Sequence, residues 1–362
     1  MTSLFSGIIE MSNDQIIDTY TGHITLTPKD GKSIIENRKD LLEKIGITNN
    51  VVSASSQLIV PASMEYKNLK INTQIYAVRP GEEQKVTNIN QKIIEGSYLS
   101  DEEKYQIILG QDVAGGEDSN MSNGTLKGAK VGDKINLNFN GKKYEFTVAG
   151  IFRTKFMFSD RLAFINQKTW EEINTMSPLG DTANLVNVRV DKKENADRVI
   201  GDLRSQGLEA NFDKWEESLS FMKSINSTFL VLRVLLTVIG AIIAAVTIFI
   251  VIYIDILNRR KQIGILRAIG ISPVHLRISY IFQVLFYAIV GIVIGSLVFI
   301  YGFVPYFEAH PLTFPLGDSK LVVDQSEFYL KIIIVLIVAI ISGFVPSYFV
   351  TKTKILNAIF GK

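Results

Sequence analysis

The sequence predicts an α+β domain of two subdomains, one inserted in the other, on a helical stalk, followed by an α-helical bundle that crosses a membrane. Three observations carry this reading. Val234 to Ile254, Ile278 to Phe307 and Ile332 to Thr351 hold no charged side chain, and each run reaches the roughly 20 residues a helix needs to cross a bilayer. Up to Lys223 charges recur every few residues, and short alternating runs mix with helical periodicities. The charge also changes sign: residues 1–227 carry 27 Lys+Arg against 31 Asp+Glu, net −4, and the remainder carries 11 against 5, net +6.

Within the first part, "HITLTP" (His23 to Pro28) alternates as a strand does. "GKSIIENRKDLLEKIG" then places Ile34, Ile35, Leu41, Leu42 and Ile45 on one helical face, with Gly46 as the stop. "VVSASSQLIVPASM" and "KINTQIYAVRP" read as strands, and Asn140-Gly141 between two alternating runs is a tight-hairpin signal. "NLVNVRV" predicts a strand, "KENADRVIGDLRSQG" a helix ending at Gly207, and "LEANFD" a short strand. Strand–helix–strand pieces at both ends thus bracket a hairpin-rich insertion over about 96–180, within a domain spanning 1–214. From Trp215 a helical pattern free of Pro and Gly continues to residue 233, so Trp215 and Phe221 mark a continuous stalk. The spans are expected near 232–257, 278–306 and 330–351, inside a membrane region 234–362.

Orientation follows from the short connections, because Lys and Arg favour the cytoplasmic side. Asp255 to Arg277 holds Arg259, Arg260, Lys261, Arg267 and Arg277 against one acid, whereas Glu308 to Lys331 holds four acids against Lys320 and Lys331. The basic connection and the tail, with Lys352, Lys354 and Lys362, are expected inside, and residues 1 to about 227 outside. The opening "MTSLFSGIIEMSNDQIIDTYTGH" has neither a basic n-region nor an apolar run that would export such a domain. A fourth span ahead of Met1 is therefore expected; the alternative is a three-helix protein exported by tail translocation.

Signals for chemistry on the chain are few. There is no cysteine, hence no disulfide framework, thiol catalysis or Cys-based zinc site. His23, His275 and His310 are isolated, and Glu82-Glu83, Asp101-Glu102-Glu103 and Glu171-Glu172 sit in polar surroundings that suit a solvated face. "GKS" at Gly31 to Ser33 lacks the upstream glycine of a phosphate loop, since Leu26 stands there. Lysines are dispersed over a mildly acidic domain, so no nucleic-acid partner is expected. Asn120, Asn123 and Asn226 fit the glycosylation pattern as chance matches do. No catalytic, metal or cofactor residue is assigned. Gly291 and Gly295 form GxxxG, and Gly240, Ala241, Ala244 and Ala245 form a small-residue face, so close helix packing is expected within the chain or between subunits.

The basic connection "NRRKQIGILRAIGISPVHLRI" carries apolar residues that a plain loop does not need. Ile263, Leu266 and Ile269 or Gly270 recur at helical spacing among Arg260, Lys261 and Arg267; Gly270 is placed to end the turn, Ser272 to cap the next helix and Pro273 to open it. A short amphipathic helix suits either lipid head groups or a groove on a cytoplasmic partner.

"RRKQIGILRAIGIS" resembles the cytoplasmic signature of ABC-transporter permeases of the MacB, FtsX and LolC/LolE superfamily. The closing "VPSYFVTKTKILNAI" is similar to the family's last segment, and "IILGQDVA", "KVGDKINLNF" and "FTVAGIF" to strands of its external core domain. The resemblance covers nearly the whole chain. It implies four spans, with the large domain after the first, and Glu where this chain has Gln262. It also implies that Arg259, Arg260, Lys261, Gln262, Ile263, Gly264, Ile265, Leu266, Arg267, Ala268, Ile269 and Gly270 form a coupling helix. Two cytoplasmic ATPase subunits would push on that helix; they, not this chain, would bind ATP and Mg, and a second permease subunit would complete a homo- or heterodimer in the membrane lipid. The expected function is export of a lipoprotein, peptide or small molecule, with FtsX-type signalling to cell-wall enzymes, or a membrane-anchored receptor without ATPase, as alternatives.

Overall fold

The computed structural model describes residues 2–116, 124–174, 181–314 and 316–352. They divide into two compact units: Glu10–Ile225 with Thr313–Asp318, and Met1–Ile9 with Asn226–Leu312 and Ser319–Lys362.

The first elements are helix α1 (Thr2–Ile16), a π-turn at Ile17–Thr21, strand β1 (Ile24–Pro28) and helix α2 (Arg38–Gly46). Next come β2 (Val51–Tyr66), β3 (Leu69–Val78), α3 (Pro80–Val86), β4 (Ile93–Gly96), β5 (Gln106–Gly110), α4 (Gln111–Ala114), β6 (Lys134–Phe139) and β7 (Lys142–Phe152). Then β8 (Ala163–Asn166), α5 (Gln167–Ile173), β9 (Leu185–Val190), α6 (Ala196–Ser205), β10 (Ala210–Lys214) and the single turn α7 (Trp215–Ser218) complete the mixed α/β unit. Its strands form one sheet, ordered β10-β1-β9-β2-β3-β8-β5-β7-β4, and β6 pairs with both β2 and β7. That double pairing closes β2, β3, β8, β5, β7 and β6 into a ring. Leu58, Ile75, Ile107, Ile135, Phe146 and Ile165 fill it. A second core lies where β1, β9 and β10 meet α2 and α6, with Leu26, Val188 and Phe212 against Leu41, Ile45, Val199 and Leu203.

Several expected elements are present. The Asn140-Gly141 hairpin joins β6 to β7 with both residues in the left-handed region, φ 49° and 84°, as a type I′ turn requires. Others differ. The helix expected from Gly31 starts only at Arg38, because Ile35 exchanges backbone hydrogen bonds with Ala183 (2.6 and 3.0 Å) and is held extended there. The buried Arg38 then bonds Ser56 Oγ at 3.0 Å and Glu82 at 3.2 Å. The ring draws on β2 and β3 as well as on residues 96–180, since β2 runs unbroken through both cores.

The stalk pattern also departs from one helix. Leu219 is extended (φ −125°, ψ 90°) between α7 and the long helix α8, Ser220–Asn258. Ser218 sets the break: its hydroxyl bonds Lys214 O at 3.1 Å and lies 3.4 Å from Thr25 Oγ1 on β1, competing with continuation of the helix.

In the other unit, α8 is followed by α9 (Arg260–Ala268), α10 (Pro273–Val298), a π-turn at Phe299–Phe303 and α11 (Val304–Ala309). Pro305 provides the cause of the local widening, because it has no N–H to donate one turn back. A small hairpin, β11 (Leu312–Phe314) and β12 (Gly317–Ser319), leads to α12 (Gln325–Lys352). Met222–Asn258, Pro273–Ala309 and Gln325–Phe349 are long and apolar enough to cross a membrane. Ile252, Ile256, Val284, Ala288 and Ala339 form their shared core. The tip of the hairpin belongs to the mixed α/β unit: Leu316 joins the core that contains Leu26 and Val188, and Asp318 pairs with Lys155 at 2.5 Å.

Candidate functional site

The element on which sequence places most weight is α9. It begins as α8 ends: Arg259 leaves helical geometry for one residue (φ −97°, ψ 6°), with its Nε 3.0 Å from Asp255 Oδ1. It ends in a Schellman closure, in which Gly270 N donates to Arg267 O (3.2 Å) and Ile271 N to Leu266 O (3.1 Å). Gly270 sits at φ +102°, where a side chain would be strained. Ser272 Oγ then accepts from Val274 N at 3.3 Å and Pro273 opens α10. Glycine stop, serine cap and opening proline are all where the local pattern predicts them.

The two faces of α9 differ from expectation. Ile263 is 3% exposed and packs among Ile252 and Ile256 of α8, Tyr280 and Val284 of α10 and Ala339 of α12; Gly264 is buried beside it. Leu266, Arg260 and Arg267 are half-buried flanks. On the far side Ile265 and Ile269 are 48% and 72% exposed, in company with Lys261, Gln262 and Ala268. Ile263 and Ile269 thus do not share a face: the first anchors the helix and the second, at the C-cap, projects from it. The surface offered outward is two isoleucines with a basic border.

Elsewhere the expected site residues are dispersed. Trp215 is a core residue, 7% exposed, and Phe221 lies outside the residues whose side chains are described. A Cβ placed on Gly240, Gly291 or Gly295 would meet nothing within 4 Å among the described residues, and Ala244 is half-buried. The close helix approach occurs instead at Gly343 of α12, where a Cβ would stand 2.4 Å from Val284 Cγ2 of α10. A small-residue spacing, Ala339, Gly343 and Ser347, marks that glycine in the sequence, although the glycines expected to pack closely are others. Gly295 lines a cleft of about 350 Å³ with Ile292, Phe299, Val335 and the charged pair Glu327 and Lys331. Glu327 binds Arg233 of α8 at 2.7 Å as well as Lys331 at 3.2 Å. Asn120 and Asn123 fall outside the described residues. Among the described residues no group of three or more His, Asp or Glu side chains could hold a metal ion.

Residues 234–355 match the FtsX-like permease C-terminal family, and that match contains the whole of α9 and α10 and α8 from Val234 on. The ABC transporter permease YtrF of Bacillus subtilis is 28% identical over 60% of this chain and 52% of its own length, so the alignment spans about half of that relative. HrtB of Staphylococcus haemolyticus, a putative permease protein of a hemin transport system, is 22% identical over 92% of this chain and 85% of its own. Over these stretches the chain is similar to ABC transporter permeases, and its residues 234–355 are FtsX-like.

The chain is also similar to a solved periplasmic region of MacB from Actinobacillus actinomycetemcomitans, with 12% identity and a TM-score of 0.39 over 59% of this chain and 95% of that one. Three helices are long and apolar enough to cross a membrane, and with the permease match they make this a multi-pass membrane protein with its N-terminal region outside the cytoplasm. The charge of the basic connection that contains α9 favours the cytoplasmic side.

Proposed function

We propose that this chain is the permease subunit of an ABC transporter in which α9 takes the thrust of a separate cytoplasmic ATPase, and the membrane helices pass it to the extracytoplasmic domain. The observation that carries the reading is the outward pair Ile265 and Ile269 on a helix anchored by Ile263. Left in water beside Lys261, these isoleucines would gain nothing; against a partner's apolar groove each buried methylene contributes about 0.8 kcal/mol. Helix-in-groove recognition uses such spacing. Two permease subunits and two ATPase subunits would form the working complex, with ATP and Mg held by the ATPase. The hemin assignment of the Staphylococcus haemolyticus relative supports a small amphipathic cargo over a lipoprotein or peptide.

The test is co-purification of the full chain from membranes with its ATPase. Ile269→Asp should release the ATPase while leaving the permease folded. Retention of the ATPase by that variant and by Ile265→Asp would remove the docking role. A wild-type chain that isolates with no nucleotide-binding partner would favour an anchored receptor.

A further inference from the structure

Asp255 is the one acidic residue between Val234 and Phe307. A carboxylate so near a membrane interior is costly unless partnered, and such residues mark functional positions whose partners must be named. Here both oxygens are engaged. Oδ1 receives Arg259 Nε at 3.0 Å, from the N-cap residue just ahead of α9, and Oδ2 receives Gln283 Nε2 at 3.2 Å, from the charge-free stretch of α10. Gln283 Nε2 also reaches the Tyr287 hydroxyl at 3.1 Å, one turn further along α10. The carboxylate is half-buried, beside Ile256, whose neighbours in the core include Ile263 of α9 and Val284 of α10.

We propose that Asp255, on the last turn of α8, is a positioning residue that ties the Arg259 hinge ahead of α9 to α10, so that a push on α9 moves α10 as one body with it. The proposal rests on the docking reading of α9 and names the part that carries the motion inward. Ile263 alone cannot supply this. An apolar contact is non-directional and leaves α9 able to swivel about its anchor, whereas a charge-assisted bond to Arg259 and a second bond to Gln283 fix an angle. Arg259 is the right place to hold, because it is the single non-helical residue between α8 and α9 and hence the hinge.

The chain has no cysteine, so two introduced ones can be spin-labelled without background. Ala268→Cys on α9 and Val290→Cys on α10, both exposed, report the distance between the two helices in the full chain with its ATPase in nanodiscs. The expected wild-type result is one narrow distance that nucleotide does not change. Asp255→Leu should broaden it and make it nucleotide-dependent. Asp255→Asn, which keeps the shape and one acceptor, should do so to a lesser degree, and Gln283→Leu added to Asp255→Leu should add nothing. A general loss of stability would lower the melting temperature without making the distance respond to nucleotide. Asp255→Leu and Asp255→Asn both retaining the narrow, nucleotide-independent distance would overturn the proposal. Should the Leu variant not fold, Asp255→Asn with Gln283→Leu decides. If the wild-type chain fails to bind its ATPase, the docking reading falls, and the nucleotide-free distances still judge the lock.

Discussion

His23 and Trp215 meet edge to face, ring centroids 6.0 Å apart, and Trp215 N donates to His23 O at 3.2 Å. His23 directly precedes the first strand of the extracytoplasmic unit and Trp215 follows its last, so the pair ties the start of that strand to the turn after the last one. His23 Nδ1 accepts from Val190 N at 3.2 Å, which fixes the neutral ring with its proton on Nε2. Burial first, and then the Arg189 guanidinium, lower its pKa to about 4; Asp18 opposes them. The group's folded pKa therefore lies below its unfolded value of 6.5. Its contribution is complete above pH 6.5 and is lost as pH falls towards 4. The loss is on the order of 2 kcal/mol once partial solvation is allowed for. Melting curves across that window should show a slope that His23→Gln flattens; an unchanged slope would assign the acid sensitivity elsewhere.

Gly343 admits no side chain in the present packing. Its virtual Cβ lies 2.4 Å from Val284 Cγ2 and 3.2 Å from Val284 Cβ, and a β-branched residue in a helix has one strongly preferred rotamer with which to yield. Gly343→Ala is expected to cost about 1–3 kcal/mol by overpacking. Val284→Ala in the same chain should recover most of it. The measurement is a double-mutant cycle by thermal melting in detergent, and additive effects would mean that the two helices do not meet there.

What is legible in the sequence is local. Gly270, Ser272 and Pro273 announce the end of α9 and the start of α10 because capping chemistry acts within one turn. Asn140-Gly141 announces its hairpin for the same reason. Gly343 is legible only as part of the small-residue spacing Ala339, Gly343 and Ser347, because its partner Val284 lies on another helix. The GxxxG glycines are legible as a pattern, yet a Cβ added to either would meet nothing within 4 Å among the described residues. The division of α9 into an Ile263 side and an Ile269 side depends on where α8 and α10 lie, which periodicity does not give. Ring closure by β6 on β2 joins residues far apart in sequence, Asn138 with Ser63, and alternation alone cannot name the partner strand.

Leu316 and Lys155–Asp318 both hold the tip of the hairpin between β11 and β12 in the extracytoplasmic unit, and their magnitudes separate them. Leu316 is 9% exposed within the core, so Leu316→Ala should cost about 2–3 kcal/mol. The ion pair is partly solvated and Asp318→Asn should cost less than about 1 kcal/mol. Gly317 adds a constraint: at φ +132°, with a virtual Cβ 3.1 Å from Gln15 Nε2, it resists substitution. Hydrogen exchange of the hairpin amides checks the ranking. Faster exchange in Asp318→Asn than in Leu316→Ala would make the ion pair the main anchor.

Ile263 and Ile269 should separate stability from docking. Ile263 is almost wholly enclosed by three other helices, and Ile263→Ala removes apolar contact that nothing else can fill, at about 2–4 kcal/mol. Ile269 is mostly exposed, so Ile269→Ala should change the melting temperature of the isolated chain little. In the assembled transporter the order reverses if Ile269 enters the ATPase. Truncation there would weaken association by about 1–2 kcal/mol, a factor of roughly 5–30 in Kd, whereas a folded Ile263→Ala chain would still present Ile265 and Ile269. Melting temperature and ATPase affinity measured on both variants give four outcomes. If Ile269→Ala leaves affinity unchanged while Ile263→Ala weakens it, α9 acts on the membrane bundle alone and its outward isoleucines do not dock.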